Sequence, residues 1–155
     1  MKAISPVIAT VIIVAVAIAI SIAVALWMTG LTTTFTGLEK LEIVNAYATV
    51  SGNGWQIKIT VKNTGTKTVT IDNIFINNKP GTLANANTES PSGTVSRDTS
   101  TGYVSLDPGS QVTISFTLGT GSGDLIGDSF SSGQTVSIII HTASGGQYPA
   151  TVTLP

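Results

Sequence analysis

A long apolar segment occupies the start of the chain, and apolar residues alternate with polar ones after it. The 22 residues from Val7 to Met28 include one threonine and one serine as their only polar members, and no glycine or proline. As an α-helix this segment would be about 33 Å long, close to the ~30 Å hydrocarbon core of a bilayer. Ser5 suits a helix N-cap and Pro6 the first helical position. We therefore expect a helix that starts at Pro6 and ends at Gly30 or a few residues later.

The charges around this segment give it an orientation. No charged side chain lies between Lys2 and Glu39. The positive-inside rule then keeps the N-terminus in the cytoplasm and exports everything after Met28. Three interpretations remain open: a secretory signal peptide cut after Ala23-Val24-Ala25, a plain membrane anchor, and a third that depends on the first ten residues.

From Leu41 onward the period of the pattern is two, which is typical of half-buried strands. Val112, Ile114 and Phe116 are expected to face inward, and a slip in the alternation near Asn73 indicates a β-bulge. The predicted strands are Leu41 to Val50, Trp55 to Lys62, Thr68 to Ile76, Tyr103 to Leu106, Gln111 to Leu118, Val136 to Thr142 and Gln147 to Leu154.

Turn residues between these strands predict hairpins across residues 51–54, 107–109 and 143–146. Residues 82–101 are polar and weakly patterned, which indicates a surface loop with one poor strand, and residues 119–134 form a Gly/Ser-rich loop. The predicted fold class is α+β: a long hydrophobic N-terminal α-helix followed by an antiparallel, immunoglobulin-like β-sandwich of seven or eight strands.

Composition narrows the function. The chain has 155 residues, a net charge of −1, one histidine and no cysteine. Nucleic-acid binding would need a basic patch, and the usual zinc centres need several His or Cys residues. No P-loop, nucleophile elbow or paired-carboxylate arrangement is present. We therefore expect a structural surface protein without a cofactor or a metal, and not an enzyme.

The remaining candidate residues have unremarkable interpretations. His141 lies in an apolar strand without a second His or Cys, so we expect a packed or outward-facing residue. Asp124 and Asp128 lack the spacing of a calcium loop and are expected to be solvated. Three aromatic residues that could form a sugar-binding platform are more often core or inter-subunit contacts; they are Trp55, Tyr103 and Tyr148.

Two features of the exported part bear on its surface chemistry. Serine and threonine together make up about 40 of the 155 residues of the whole chain, and no N-x-[ST] sequon occurs, so attached glycans would be O-linked. O-glycosylation and β-propensity explain this composition equally well. Because carboxylates are few, we expect the stability of the domain to depend weakly on acid pH.

The first ten residues, Met1-Lys2-Ala3-Ile4-Ser5-Pro6-Val7-Ile8-Ala9-Thr10, resemble the N-terminus of archaeal type IV pilins. In that family a prepilin peptidase cuts a short basic leader on the cytoplasmic side of the apolar segment. The resemblance implies a class III signal peptide at residues 1–3, recognition through Lys2 and Ala3, and cleavage before Ile4. It divides the chain into a leader at 1–3, a hydrophobic helix at 4–38 and an exported β-sandwich at 39–155.

The same resemblance implies a homo-oligomeric cell-surface pilus for adhesion, with prepilin peptidase, a secretion ATPase and a membrane platform protein as partners, and a docking site for viruses. The precursor would sit in the cytoplasmic membrane, and its helix would form the filament core after assembly. Small residues let helices approach closely; with Pro6, the expected assembly residues are Ala9, Ala15, Ala17, Ala19, Ala23 and Ala25. The alternatives are an archaellin, which is a motility filament subunit, and a membrane-anchored binding module that does not polymerise.

Overall fold

The structure, a computed structural model, describes residues 6–35, 37–119 and 125–155, without the side chains of residues 33–35. The chain divides into two compact units, Met1–Gly37 and Leu38–Pro155. The first contains the helix α1, Pro6–Phe35. The helix continues past Gly30, which is the outcome expected if the uncharged residues after that glycine extend it.

The second unit is built from strands. The described residues form ten of them, with bounds β1 Leu41–Ser51, β2 Gly54–Asn63, β3 Val69–Ile76, β4 Lys79–Pro80, β5 Asn87–Ser92, β6 Val95–Arg97, β7 Val104–Leu106, β8 Gln111–Leu118, β9 Thr135–Thr142 and β10 Gln147–Thr153. A short 3-10 turn, Leu83–Asn85, precedes β5. The total exceeds the predicted seven or eight because β4, β5 and β6 are short or polar and give little alternation.

The strands form two antiparallel sheets, which confirms the predicted fold class. The first sheet has the order β1-β2-β8-β5, and the second has the order β10-β9-β3-β7-β6, with β4 paired to β3. Inward-facing side chains of both sheets form one core. Ile57, Ile59 and Val61 alternate as predicted and are fully buried, and Val112, Ile114 and Phe116 are buried opposite them in register. Each such side chain contributes roughly 1.5–3 kcal/mol on burial.

Three local predictions are confirmed and one is wrong. The hairpins β1–β2 and β9–β10 form, and the register of β3 against β9 shifts between Ile71 and Asn73. The predicted hairpin across residues 107–109 does not form, because β7 pairs with β3 and β6 in the second sheet while β8 pairs with β2 and β5 in the first. The turn carries the chain from one sheet to the other.

Asn63 holds this crossing in place. It is fully buried, and its Nδ2 donates hydrogen bonds to the carbonyls of Lys67 at 2.7 Å and Leu106 at 2.9 Å. Its backbone N–H donates to the carbonyl of Ser110, and its carbonyl accepts from Gly109. One side chain therefore ties the β2–β3 crossing to the β7–β8 crossing.

The turn after Asn63 is also hydrogen-bonded to the segment that leads into β1. The N–H groups of Thr64 and Gly65 donate to the carbonyl of Lys40 at 2.9 and 3.1 Å. A side chain at position 65 would overlap the carbonyl oxygen of Leu38, and its Cβ would lie 2.7 Å from the nitrogen of Lys40. The glycine is therefore required by the close approach of the two backbone segments.

Replacing Asn63 should destabilise the sandwich strongly. In Asn63→Leu the carbonyls of Lys67 and Leu106 lose their donor inside the core, at a cost of about 2–5 kcal/mol since each unsatisfied group costs about 1–3 kcal/mol. Thermal unfolding of the detergent-solubilised full chain, followed by circular dichroism, measures this. Asn45→Ala, at an exposed site on β1, is the control and should leave the midpoint unchanged. Equal midpoints for the two variants would contradict the assigned role of Asn63.

Candidate functional site: the N-terminal helix

Helix α1 exposes apolar side chains in every direction. All side chains described in it, from Pro6 to Thr32, are exposed. This 27-residue stretch is long and apolar enough to cross a membrane. Its large residues are between 43% exposed at Leu31 and 70% exposed at Leu26. A soluble helix usually keeps a polar face toward water, and this helix has none.

The hydroxyl groups between Pro6 and Thr32 do not make a polar face either, because each bonds to the helix's own backbone. Thr10 donates to the carbonyl of Val7 at 2.8 Å and Ser21 to that of Ala17 at 2.7 Å. Thr29 and Thr32 donate to the carbonyls four residues earlier, at 2.8 and 2.9 Å. Hydroxyls that are already paired can enter lipid or a protein interior without an unsatisfied donor.

The predicted assembly alanines form most of two stripes of small residues: four of them begin or end a stripe, and a fifth lies in the middle of one. Residues four apart lie on one face of a helix. Ala15, Ala19 and Ala23 form the first stripe, and Ala17, Ser21 and Ala25 form the second. With 3.6 residues per turn the stripes lie on roughly opposite sides of the helix. Each lets a neighbouring backbone approach closely.

The other predicted site residues are placed differently. Pro6 and Ala9 lie in the first turns of α1 and outside both stripes. The predicted processing residues Lys2, Ala3 and Ile4 lie outside the described residues. Ser21 was not predicted as an assembly residue, although its spacing of four from Ala17 and Ala25 is a signal in the sequence.

His141 is a packed strand residue, as expected, and it has a partner that the sequence did not predict. Its Nδ1 lies 2.7 Å from Oδ1 of Asp72, and its ring meets the ring of Phe75 edge-on at a centroid distance of 6.0 Å. About a quarter of each side chain of the His141–Asp72 pair is exposed.

The carboxylates and aromatic residues do not assemble into a site in the described part of the chain. Asp128 pairs with Lys79 at 2.7 Å, and Asp124 lies outside the described residues. Residues 6–35, 37–119 and 125–155 hold no group of three or more His, Asp or Glu side chains arranged to bind a metal.

The three candidate aromatic residues lie on different parts of the sandwich. Trp55 is in the first sheet, where it pairs with Leu118. Tyr148 is in the second sheet, where it pairs with Ile140, and Tyr103 precedes β7. These positions do not form a common platform for a sugar.

The pKa of the Asp98 carboxyl is clearly displaced. The hydroxyl and then the backbone N–H of Ser100 donate to its Oδ1 at 2.7 and 2.8 Å. These bonds, with weaker contributions from Thr101, lower the pKa of Asp98 from 3.8 to about 2 because they stabilise the charged form.

Comparison with known proteins gives structural likenesses only. No protein-family model matches the chain, and no curated protein matches it. The Iho670 flagellar-like filament is similar over 97% of this chain and 98% of its own, at 15% identity and a TM-score of 0.40. The flagellum of Methanospirillum hungatei strain JF1 is similar over 96% of this chain and 88% of its own, at 19% identity and a TM-score of 0.48.

A third solved structure, the archaellum periplasmic stator protein FlaG from Sulfolobus acidocaldarius, is similar over 74% of this chain and 99% of its own, at 21% identity and a TM-score of 0.43. These neighbours are filament and archaellum proteins. Likenesses at these identities and TM-scores assign no function to this chain.

The stability of the sandwich should fall only at strongly acid pH. The folded state lowers the pKa of Asp98, so the stabilisation is present above pH 3.8 and is lost as the pH falls toward about 2. Unfolding midpoints measured from pH 7 to pH 2 should decline mainly in that window, and Asp98→Asn should flatten the decline. Glu89→Gln, at an exposed site, serves as the control. A sharp unfolding transition above pH 4 would contradict this.

Proposed function

We propose that the chain is a structural subunit of an archaeal type IV pilus, a cell-surface filament for adhesion that polymerises through α1. One observation supports this most directly: a 27-residue helix with no polar face is joined to a β-sandwich that has its own complete core. The sandwich does not need the helix for its core, so the helix is available to pack elsewhere.

Before assembly, the membrane would cover the apolar surface of the helix. At 1.5 Å per residue the stretch Pro6–Thr32 would be about 40 Å long, which spans the ~30 Å hydrocarbon core with some tilt. The positive-inside rule places Lys2 in the cytoplasm and the sandwich outside. The same length supports the alternative of a membrane-anchored module, which differs from the proposal in whether the helix ever leaves the lipid.

After assembly, copies of the same helix would cover its apolar surface. Burying one Val, Ile or Leu side chain is worth roughly 1.5–3 kcal/mol, so a helix outside lipid is strongly driven to pack. A helix with one close-packing stripe would form a pair. With stripes on two roughly opposite sides, each helix can contact two neighbours at once, and a contact that does not close on itself produces a filament.

The sandwich edges are poor sites for polymerisation. Edge strands that pair between molecules are normally long and regular, and proteins block them with bulges, prolines or short strands. In the first sheet, edge strand β1 has a bulge at Val44 and edge strand β5 contains Pro91 and a register shift. In the second, edge strand β6 has three residues and edge strand β10 contains Pro149.

The assembly partners follow from the resemblance at the N-terminus. Prepilin peptidase would remove residues 1–3, and a secretion ATPase with a membrane platform protein would move the subunit from the membrane into the filament. The exported sandwich would form the outer surface, with O-linked glycans on its Ser and Thr residues and a role in attachment and virus docking. An archaellin would use the same helix for a motility filament.

Filling a small-residue stripe should prevent assembly and leave membrane insertion intact. Ala19→Leu puts a bulky side chain in the middle of the first stripe, where it separates the helix backbones. Electron microscopy of material sheared from cells that make only this variant should show few or no filaments, while the chain remains in the membrane fraction.

The matched control is Ile20→Leu, which lies between the two stripes and changes shape without adding volume. Filaments of this variant should be as numerous as those of the wild type. Normal filaments from Ala19→Leu would contradict packing through the stripe, and wild-type chain confined to membranes would favour the anchored module.

The mass of the chain in filaments tests processing and glycosylation together. The polypeptide should begin at Ile4, and mass in excess of residues 4–155 should disappear after chemical release of O-linked glycans. Intact-mass spectrometry and N-terminal sequencing of purified filaments measure both. A chain that begins at Met1 would contradict the cleavage, and a mass equal to that of the bare polypeptide would end the glycan proposal.

A further inference from the structure

A row of apolar side chains crosses the outer face of the second sheet. Phe75 on β3 pairs with Pro80 on β4 and with Ile139 on β9, and Ile139 pairs with Pro149 on β10. The residues before and after Phe75 and Ile139 are fully buried. Because side chains alternate across a strand, the row itself faces outward. Phe75 and Ile139 are half-buried, and both prolines are exposed.

β1 lies beside β10, although the two strands belong to different sheets, and two hydrogen bonds are made near the ends of this pair. The hydroxyl of Ser144 donates to the carboxylate of Glu39. The indole N–H of Trp55 donates to the carbonyl of Pro155 at 3.1 Å, and Trp55 pairs with Val50. Glu39 and Ser144 are separated along the sequence by the same number of residues as Val50 and Pro155, so the two strands run side by side in the same direction.

At the same separation along the sequence, Val44 on β1 corresponds to Pro149 on β10. Val44 lies at the bulge of β1 and is 55% exposed. The four paired strands β4, β3, β9 and β10 span about 15 Å at 4.7–4.9 Å per spacing, and Val44 extends the row toward the first sheet. We call this set the apolar row: Pro80, Phe75, Ile139, Pro149 and Val44.

The apolar row has polar borders and a depression near its centre. The His141–Asp72 pair and Gln147 lie on one side, and Ser137 and Thr151 lie on the other. The depression has a volume of about 260 Å³, and its lining comprises Phe75, Asn78, Ile139 and Gln147. An apolar centre with a polar rim is the usual composition of a protein–protein contact.

We propose that the apolar row packs against α1 of a second copy of this chain. The inference rests on the proposed function, and the reason is the shape of a helix bundle. Each helix at the surface of a bundle keeps one side that no other helix covers, and α1 is apolar on that side whichever side it is. In the assembled filament the exported domains are the layer that meets this side.

The lack of charge on α1 and the width of the helix both fit the apolar row. The apolar row contains no charged residue, and neither does α1 from Pro6 to Phe35. A helix is about 10 Å wide, so it can lie along or across a row of about 15 Å. Large exposed side chains of the helix, such as Trp27 and Leu26, are of a kind that fills the depression.

The contact would be too small to hold two copies together alone. Five side chains give a few hundred Å² per partner, whereas stable interfaces bury about 1,200–2,000 Å² in total. It would therefore form where the packed helices already bring copies together, and it would add to the stability of the filament without making the free subunit dimerise.

Placing a charge in the apolar row tests its burial. In Ile139→Lys an ammonium group would be trapped against the helix, and we expect the yield of filaments to fall by about tenfold or more. Thr99→Lys adds the same charge at an exposed position in the turn after β6, at the opposite edge of the sheet from the row, and should leave the yield unchanged. Ile139 faces outward, so circular dichroism of both subunits should match that of the wild type.

Cross-linking identifies the partner, because the chain has no cysteine of its own. A variant with both Thr151→Cys and Thr32→Cys places one thiol beside the apolar row and one on the last helix residue whose side chain is described. Treating intact filaments with bismaleimides of graded length should give a ladder of dimers, trimers and larger products on a denaturing gel. The control pairs Thr32→Cys with Thr99→Cys, which lies in the turn after β6 at the opposite edge of the sheet, and should give no ladder.

The other outcomes separate the two proposals. Wild-type chain that never enters sedimentable filaments contradicts the proposed function itself. Filaments in which both thiols react within one chain, without a ladder, show that the row covers its own helix and overturn the second-copy inference. Intact filaments with no product, or Ile139→Lys filaments as abundant as those of Thr99→Lys, show that the row faces solvent or another partner and also overturn it.

Discussion

The whole arrangement depends on one constraint: a helix that is apolar on every side must be covered on every side. From Pro6 to Thr32 no described side chain is buried, and its hydroxyls are already satisfied by its own backbone. Lipid and other copies of the same helix both meet this requirement. A subunit that starts in one environment and ends in the other needs no change in the helix, only a change in what surrounds it.

The sandwich itself contributes little to whether the helix lies in lipid or among other copies of the helix. Its core is complete within residues 38–155, its edge strands are interrupted by a bulge, prolines or shortness, and Asn63 fixes the crossings between the sheets from inside. A domain that folds by itself and does not pair at its edges can be exported and displayed without aggregating. The weak apolar row is the part of its surface that suits a contact made only after assembly.

Much of the fold could be predicted because its signals are local. The helix follows from composition alone, and the buried alternation of Ile57, Ile59 and Val61 gives the central strand of the first sheet. The β7–β8 turn shows the limit: Asp107-Pro108-Gly109 predicts a reversal, but which sheet each strand joins is decided by pairing with strands far away in the sequence. The sequence does not predict the structural role of Asn63 or the existence of the apolar row for the same reason: both depend on the register between strands that are distant along the chain. The spacing of four in the stripe that contains Ser21 is present in the sequence, but only the helix geometry groups this serine with the alanines on the same side.

The most direct test is a helical reconstruction by electron cryo-microscopy of lipid-free filaments sheared from cells. The account predicts rods of helical density packed around the axis, each continuous with residues 6–35 of one subunit, and a surrounding layer of β-sandwiches. A filament whose axis is empty or filled with lipid, or one in which sandwiches alone make the contacts between subunits, would contradict it.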